Sequence, residues 1–276
     1  MDYPKDSWLT RENSIFDLFS LKGKKAMVTG AAGGIGRNSA AVFAEAGADV
    51  ALLDLEGSKE ALEQLAKDIT TRYKVKAIPM YCDVTDEAQV EAVKKEIENE
   101  FGTLHVAHIN AGVSLPGDDY DVPYETWKKT IDIDLHGAYL TGQLAQQLMR
   151  KNENGGSIIF TSSISGYVTN QIDNYPTPVV AYSAAKAGVS QYARVLAAHA
   201  VKDGIRVNTI APGYVWSGIH EGVMPEEVHD KMCELIPMER FGRNDELQGA
   251  LLFLASEASS YITGINIPID GGYLLY

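Results

Sequence analysis

The chain has 276 residues and a formal charge of −13, from 37 acidic and 24 basic side chains. Its hydrophobic fraction of 45% and charged fraction of 22% are ordinary for a globular protein and exclude collagen-like, coiled-coil and disordered classes. A chain this acidic, without a block of basic residues, is not expected to bind nucleic acid or an anionic membrane surface.

The cysteine content and the amino-terminal segment bear on location. Cys82 and Cys233 show no CxxC spacing, which is typical of a reducing compartment and of neither a disulfide framework nor a structural zinc site. The first residues lack the apolar stretch of a signal peptide, and no apolar run approaches the roughly 18 residues of a membrane-spanning helix. We therefore expect a cytoplasmic protein.

From residue 25 onward, short runs rich in β-branched residues alternate with longer segments of helical periodicity. The predicted strands are 25–29, 49–54, 76–81, 105–110, 157–162, 205–210 and 265–269. Such alternation is typical of a parallel sheet covered by helices, and several runs are continuously apolar, as doubly buried strands are. The sequence predicts an α/β fold, a Rossmann-type doubly wound parallel sheet of about seven strands with helices on both faces.

Four segments show clear helical periodicity, and they are 37–48, 86–101, 124–150 and 180–202. Gly47 is placed to end the first, and Asp83 or Thr85 to cap the start of the second. Because no linker or repeat is evident, we expect residues 25–276 to form one continuous doubly wound domain.

Two segments lie outside this alternation. The arm at residues 1–24 is too apolar for a solvated tail, since it carries Trp8, Leu9, Ile15, Phe16, Leu18 and Phe19. We expect this arm to pack on its own domain in preference to covering a neighbouring subunit or the active site. Residues 213–237, rich in Gly, Met and large apolar side chains, follow a strand end and are expected to form a substrate lid.

A glycine-rich turn, Thr29–Gly36, joins the first predicted strand to the first predicted helix. Gly30 would permit a sharp turn, Gly34 a close approach of the backbone to a pyrophosphate, and Gly36 close packing of helix on strand. The amino terminus of that helix would offer free N–H groups to the phosphates. This arrangement predicts a dinucleotide site, with a plain tight turn as the alternative.

Asp54 ends the second predicted strand, where a carboxylate can accept hydrogen bonds from the adenosine ribose hydroxyls and would repel a 2′-phosphate. Gly33 and Leu55 occupy positions where NADP binding would favour basic residues. Arg37 could reach such a phosphate, so NADP stays open as the alternative. The carboxylate favours NAD.

Six short motifs follow one another along the predicted strands. They are TGxxxGxG at Thr29–Gly36, Asn110-Ala111-Gly112, Ser163, YxxxK at Tyr182–Lys186, Pro212-Gly213 and Asp270-Gly271-Gly272. In this order they resemble the short-chain dehydrogenase/reductase family over about residues 22–274. The resemblance implies hydride transfer between a nicotinamide cofactor and a secondary alcohol or ketone.

Tyr182 and Lys186 are four residues apart on a predicted helix, so they share one face, and an ammonium there favours the phenolate. Such a tyrosine can exchange a proton with an alcohol or ketone near neutral pH. The resemblance implies that Lys186 also binds the nicotinamide ribose and that Ser163 hydrogen-bonds the substrate oxygen. The cofactor contacts that it implies are Gly30, Gly34, Ile35, Gly36, Asp54, Asp83, Val84, Asn110, Gly112, Tyr182, Lys186, Pro212, Gly213 and Val215.

The sequence departs from the family pattern at two places. Asp134 stands where the family usually has an asparagine, the fourth member of the catalytic set, and we expect it to keep the proton relay through its side chain or its backbone carbonyl. The segment 167–180, between Ser163 and Tyr182, is longer than is common in the family. It either walls the substrate pocket or makes a surface excursion away from the cleft.

The substrate is the least determined feature. The lid residues Val215, Trp216, Ile219, Val223, Met224 and Met232 predict an apolar, adaptable cleft that suits a hydroxysteroid, of the 20β type for instance, unless they only pack the lid on the sheet. The carboxyl-terminal segment and the variant around Asp134 resemble sugar-alcohol dehydrogenases and sorbose reductases instead. A non-catalytic, NAD-sensing regulator is the alternative from another class, and the presence of Ser163, Tyr182 and Lys186 argues against it.

Metal catalysis is not expected, because His105 and His108 would point to opposite faces of a strand and the other histidines are scattered. The resemblance implies a homodimer or homotetramer. Apolar residues that suit an interface, or equally a core, are Tyr139, Leu140, Leu144, Leu148 and the terminal run 273–276.

Overall fold

The structure, a computed structural model, describes residues 14–170, 179–216 and 224–276. Its strands are β1 (Lys25–Thr29), β2 (Asp49–Asp54), β3 (Ala77–Tyr81), β4 (Val106–Ile109), β5 (Gly156–Thr161), β6 (Ile205–Pro212), β7 (Val215–Trp216), β8 (Gly242–Arg243) and β9 (Asn266–Ile269). Seven of these form a parallel sheet in the order β3-β2-β1-β4-β5-β6-β9, and β7 pairs with β8 beside it. The predicted doubly wound sheet of seven strands is confirmed.

Helices cover both faces of the sheet. They are α1 (Gly34–Glu45), α2 (Lys59–Tyr73), α3 (Glu87–Phe101), α4 (Tyr124–Ile131), α5 (Gly137–Met149), α6 (Val180–Ala200), α7 (Glu226–Glu234) and α8 (Gln248–Ala255). One apolar core joins α3, α5 and α6 to the sheet, and a second joins α1, α2 and α8 to the opposite face. None of the helices in the described part of the chain is long and apolar enough to cross a lipid bilayer.

The predicted helix 124–150 is helical from 124 to 149, but Asp132–His136 forms a π-helical stretch between α4 and α5. The predicted cap of α3 was wrong. The cap of α3 is Asp86, whose carboxylate accepts hydrogen bonds from the N–H groups of Ala88 and Gln89 at 2.9 and 3.2 Å. Asp83 does not cap α3, because its carboxylate is bonded to the N–H and the hydroxyl of Thr85.

The two segments outside the alternation are described only in part. Trp8 and Leu9 of the arm lie outside the described residues. Leu18 and Phe19 are half-buried, whereas Ile15 and Phe16 are exposed, so the packing of the arm stays a prediction. In the lid, α7 forms a small apolar cluster made of Val228, Met232, Ile236 and Phe241.

Candidate active site

A cleft of about 1320 Å³ lies at the carboxyl ends of the parallel strands, where the strand order reverses between β1 and β4. Ligands of doubly wound sheets bind at this switch point. All of the predicted site residues line this cleft except Gly36 and Asp134. Gly36 and Asp134 lie beneath the surface of the cleft. Gly36 packs against Gly30 and Asp134 pairs with Lys186, and both of these partners line the cleft.

The glycine-rich turn brings the start of α1 to the cleft. A Cβ atom on Gly36 would overlap the carbonyl oxygen of Gly30, so only glycine permits this close packing of α1 on the turn. Gly33 precedes α1 and provides no side-chain cap, so the first N–H groups of the helix have no side-chain acceptor. Gly34 and Ile35 line the cleft at this point, and free N–H groups at a helix amino terminus suit a pyrophosphate.

Asp54 is held rigidly at the end of β2. One carboxylate oxygen accepts a hydrogen bond from the N–H of Ala32 at 2.9 Å, and the other from the N–H of Leu55 at 2.8 Å. The side chain of Arg37 donates to the carbonyl of Ala32 at 3.2 Å and does not line the cleft. Among the described residues that line the cleft, the basic ones are Lys128, Lys129 and Lys186, which lie on α4 and α6 and not at the end of β2.

Lys186 and Asp134 form a buried ion pair. The Lys186 Nζ lies 2.8 Å from the Asp134 Oδ1, and the two residues are 3% and 0% exposed. Burial alone lowers the pKa of Lys186, but the neighbouring Asp134 and Tyr182 outweigh it, and the net effect is a raised pKa. Lys186 is therefore a stable ammonium in the interior of the protein.

Tyr182 lies in the first turn of α6, with its ring centre 5.3 Å from the Lys186 Nζ. The backbone at Gly112 passes directly over the ion pair. A Cβ atom on Gly112 would overlap the Asp134 carboxylate and lie 2.8 Å from the Lys186 Nζ. The N–H of Val113 donates to the same carboxylate at 3.2 Å. Asp134 thus holds both the lysine and the backbone that follows β4.

Ser163 belongs to a chain of polar side chains at the same end of the cleft. Its hydroxyl accepts from the N–H of Ser165 at 3.1 Å and donates to the Ser165 hydroxyl at 3.2 Å. The Asn170 amide donates to Ser165 Oγ at 2.6 Å. Asn170 is only 7% exposed and lines the cleft, and its Oδ1 has no hydrogen-bond partner among the described residues.

Ser165 and Asn170 are site residues that the sequence did not predict. Nothing in the local sequence distinguishes Asn170 from other polar loop residues, since its partner becomes apparent only once the segment after Ser163 folds back. Its position in the cleft supports the pocket-wall alternative for the start of the long segment 167–180, of which residues 171–178 lie outside the described residues.

His108 lies on β4, beneath the loops that follow β4 and β5, and is fully buried. Its ring nitrogens are 2.9 Å from the Ser39 hydroxyl and 2.8 Å from the Thr161 hydroxyl, and Thr161 in turn donates to Asn110 at 3.0 Å. Burial lowers the pKa of His108 to about 3, so the ring is neutral at physiological pH. It joins α1 to the loops after β4 and β5.

The lid supplies part of the opposite wall. Val215, Met224 and Met232 line the cleft as expected, and Val228 and Phe241 join them. Trp216 does not line the cleft and packs against the apolar cluster of α7 instead. The predicted lid residues Ile219 and Val223 lie outside the described residues.

Comparisons with known proteins agree with this geometry. A family model described as enoyl-(acyl carrier protein) reductase matches residues 30–274. Sorbose reductase of Candida albicans is 44% identical, over 95% of this chain and 90% of that protein. A probable NADP-dependent mannitol dehydrogenase of Yarrowia lipolytica is 41% identical, over 94% of this chain and 91% of that protein.

A solved structure extends the likeness to the fold. The crystal structure of a short-chain type dehydrogenase/reductase from Mycobacterium marinum matches with a TM-score of 0.88 and 38% identity, over 95% of this chain and 100% of that one. The chain belongs to the short-chain dehydrogenase/reductase family, as its six motifs predict. It is an oxidoreductase of alcohols and ketones that uses a nicotinamide cofactor.

Proposed function

We propose that the protein is an NAD(H)-dependent polyol dehydrogenase, which interconverts a sugar alcohol and the corresponding ketose. The observation that carries this proposal is the row of polar side chains Ser163, Ser165 and Asn170 at the catalytic end of the cleft, all of which line it. The hydroxyls of a polyol can form hydrogen bonds with such a wall, whereas the hydrocarbon rings of a steroid would cover these polar groups without replacing their hydrogen bonds to water.

The residues of the cleft fit each part of the reaction. Asp54 would hold the adenosine ribose, the start of α1 the pyrophosphate, and Lys186 the nicotinamide ribose. When bound, the nicotinamide supplies or accepts the hydride at the carbinol carbon. Tyr182 gives a proton to the ketone oxygen during reduction and takes it back during oxidation, and Ser163 donates a hydrogen bond to that oxygen.

The names of the relatives support a polyol over the hydroxysteroid expected from the apolar lid. Sorbose and mannitol, named in those relatives, are a ketose and a sugar alcohol. The apolar lid does not require a steroid, since Val228, Met232 and Phe241 pack on one another as well as lining the cleft. The steroid reading therefore has less support than the alternative.

The cofactor proposal rests on Asp54. Its carboxylate is fixed by two backbone N–H groups and would meet a 2′-phosphate with a like charge. The mannitol dehydrogenase relative is named as NADP-dependent, so the preference needs its own measurement. Initial rates with NADH and NADPH, at matched concentrations and with one ketose, would decide it.

The substrate test compares NADH oxidation with fructose and sorbose against NADH oxidation with steroid ketones. We expect turnover with a ketose, and a rise of about 5- to 100-fold in its KM in Asn170→Ala, because a buried hydrogen bond is lost. Thr169→Ala is the matched control, since Thr169 is the exposed neighbour of Asn170.

Two outcomes would refute the proposal. A higher kcat/KM for steroid ketones would restore the hydroxysteroid reading. Binding of NADH without turnover of any alcohol or ketone would instead favour a cofactor-sensing regulator.

A further inference from the structure

Helix α6 carries both Tyr182 and Lys186, and it begins without a cap of its own. The preceding residue, Val179, provides no side-chain hydrogen bond and has a φ of 41°, a conformation that β-branched residues rarely adopt. The first N–H groups of a helix need acceptors when they are buried. The start of this catalytic helix must therefore be held by another part of the chain.

That acceptor is Asp118, which lies in the segment between β4 and α4. One carboxylate oxygen accepts from the N–H of Ala181 at 2.7 Å, and the other accepts from the N–H of Tyr182 itself at 2.9 Å. Asp118 is 6% exposed. Hydrogen bonds to a carboxylate are stronger than neutral ones, and a negative charge at a helix amino terminus is favourable.

The segment that carries Asp118 contacts Tyr182 directly and Lys186 through Asp134. At its start, the N–H of Val113 binds the carboxylate of Asp134, which pairs with Lys186. At its end, Asp118 binds the backbone of Tyr182. Ser114 lies between these two anchors and lines the cleft. The segment 113–118 thus links the wall of the cleft to the start of α6.

We infer that Asp118 is a positioning residue that sets the place of the Tyr182 phenol relative to the substrate oxygen. This inference rests on the proposed proton transfer by Tyr182. Asp118 itself is not among the described residues that line the cleft, so we expect it to act through Tyr182. A displacement of the proton donor by about 1 Å can lower the rate by up to about 100-fold. We therefore expect kcat to fall when the start of α6 is held less firmly.

The test uses Asp118→Ala and Asp118→Asn, with Asp119→Asn as the matched control. Asp119 carries the same charge one residue away but is exposed. We expect kcat for ketose reduction to fall about 10- to 100-fold in Asp118→Ala. Asp118→Asn keeps one acceptor oxygen and should lie between that variant and the wild type. The KM and the dissociation constant of NADH should stay within about two-fold, and the solvent deuterium isotope effect on kcat should rise as proton transfer becomes limiting.

Amide hydrogen exchange gives a second readout that does not need turnover. In Asp118→Ala, the amides of Ala181 and Tyr182 should exchange faster while the rest of α6 keeps its protection. A wild-type kcat in both Asp118 variants would overturn the inference, as would a loss of kcat that only follows the unfolded fraction. If the wild type reduces no ketose, the proposed function fails, and the exchange of these two amides still decides whether Asp118 holds the helix start.

Discussion

Replacing Asp134 by asparagine tests how the buried ion pair controls proton transfer. The Asp134 Oδ1 is 2.8 Å from the Lys186 Nζ, which is itself 5.3 Å from the Tyr182 ring centre. The carboxylate therefore lies no more than about 8 Å from that ring, and at an effective dielectric constant of about 20 it opposes a phenolate there by about 2 kcal/mol. Asparagine removes this repulsion and keeps a hydrogen-bond acceptor for Lys186.

We expect the pH at which kcat/KM for alcohol oxidation reaches half its plateau to fall by about 1 to 1.5 units in Asp134→Asn. The assay is the pH dependence of initial rates of NAD reduction with one polyol. Asp134→Ala is the companion variant, because it leaves the buried Lys186 ammonium without its counter-charge and should be destabilised by about 3–5 kcal/mol in urea unfolding. A folded Asp134→Asn protein with an unchanged or raised midpoint would refute the reasoning.

Two further predictions concern the cofactor and the interior. Asp54→Asn should narrow the preference for NADH over NADPH by about 10- to 100-fold in kcat/KM, because a charged acceptor of the ribose is lost, whereas the exposed Glu56→Gln should leave it unchanged. His108 has a depressed pKa, so its contribution to stability is present above about pH 6.5 and is lost as the pH falls toward about 3. The unfolding free energy of His108→Leu should therefore decline less steeply below pH 6 than that of the wild type, by about 1.4 kcal/mol per pH unit. The first prediction would be wrong if Asp54→Asn and the wild type had the same ratio of kcat/KM for NADH to kcat/KM for NADPH. The second would be wrong if the unfolding free energies of His108→Leu and the wild type declined with the same slope.

The fold could be predicted because its signals are local. Strands β1 and β2 begin and end where the apolar runs predict, since strands buried on both faces must be apolar throughout. The π-helical stretch at Asp132–His136 could not be predicted, because the helical periodicity continues through it. The cap of α3 was misassigned because Asp83, Thr85 and Asp86 are all suitable capping residues within four positions. Only the structure shows that the Asp83 carboxylate is hydrogen-bonded to Thr85.

The candidate site likewise contains features that the sequence predicts and features that only the folded structure reveals. The glycine-rich turn and the YxxxK motif carry their chemistry in a fixed short spacing, so the sequence alone reveals them. Asp118 and Tyr182 are 64 residues apart, and no local pattern pairs them. The Oδ1 of Asn170 lacks a hydrogen-bond donor among the described residues, and this too is a property of the folded pocket that no local sequence pattern shows.

The pairing of Lys186 with Asp134 has a consequence for the range of substrates. Because the ammonium is already balanced by a carboxylate at 2.8 Å, the catalytic end of the cleft offers no net attraction to an anion. The other charged residues that line the cleft bring no excess of positive charge, since Lys128 and Lys129 are outnumbered by Asp54, Asp83, Glu125 and Asp132. A sugar acid would have to give up its hydration shell without gaining a counter-charge, whereas an uncharged polyol gives up only hydrogen bonds that the hydroxyl and amide groups of the pocket can replace. On the proposed function, we therefore expect the cleft to favour uncharged polyols over carboxylated sugars, without any need for a steric barrier.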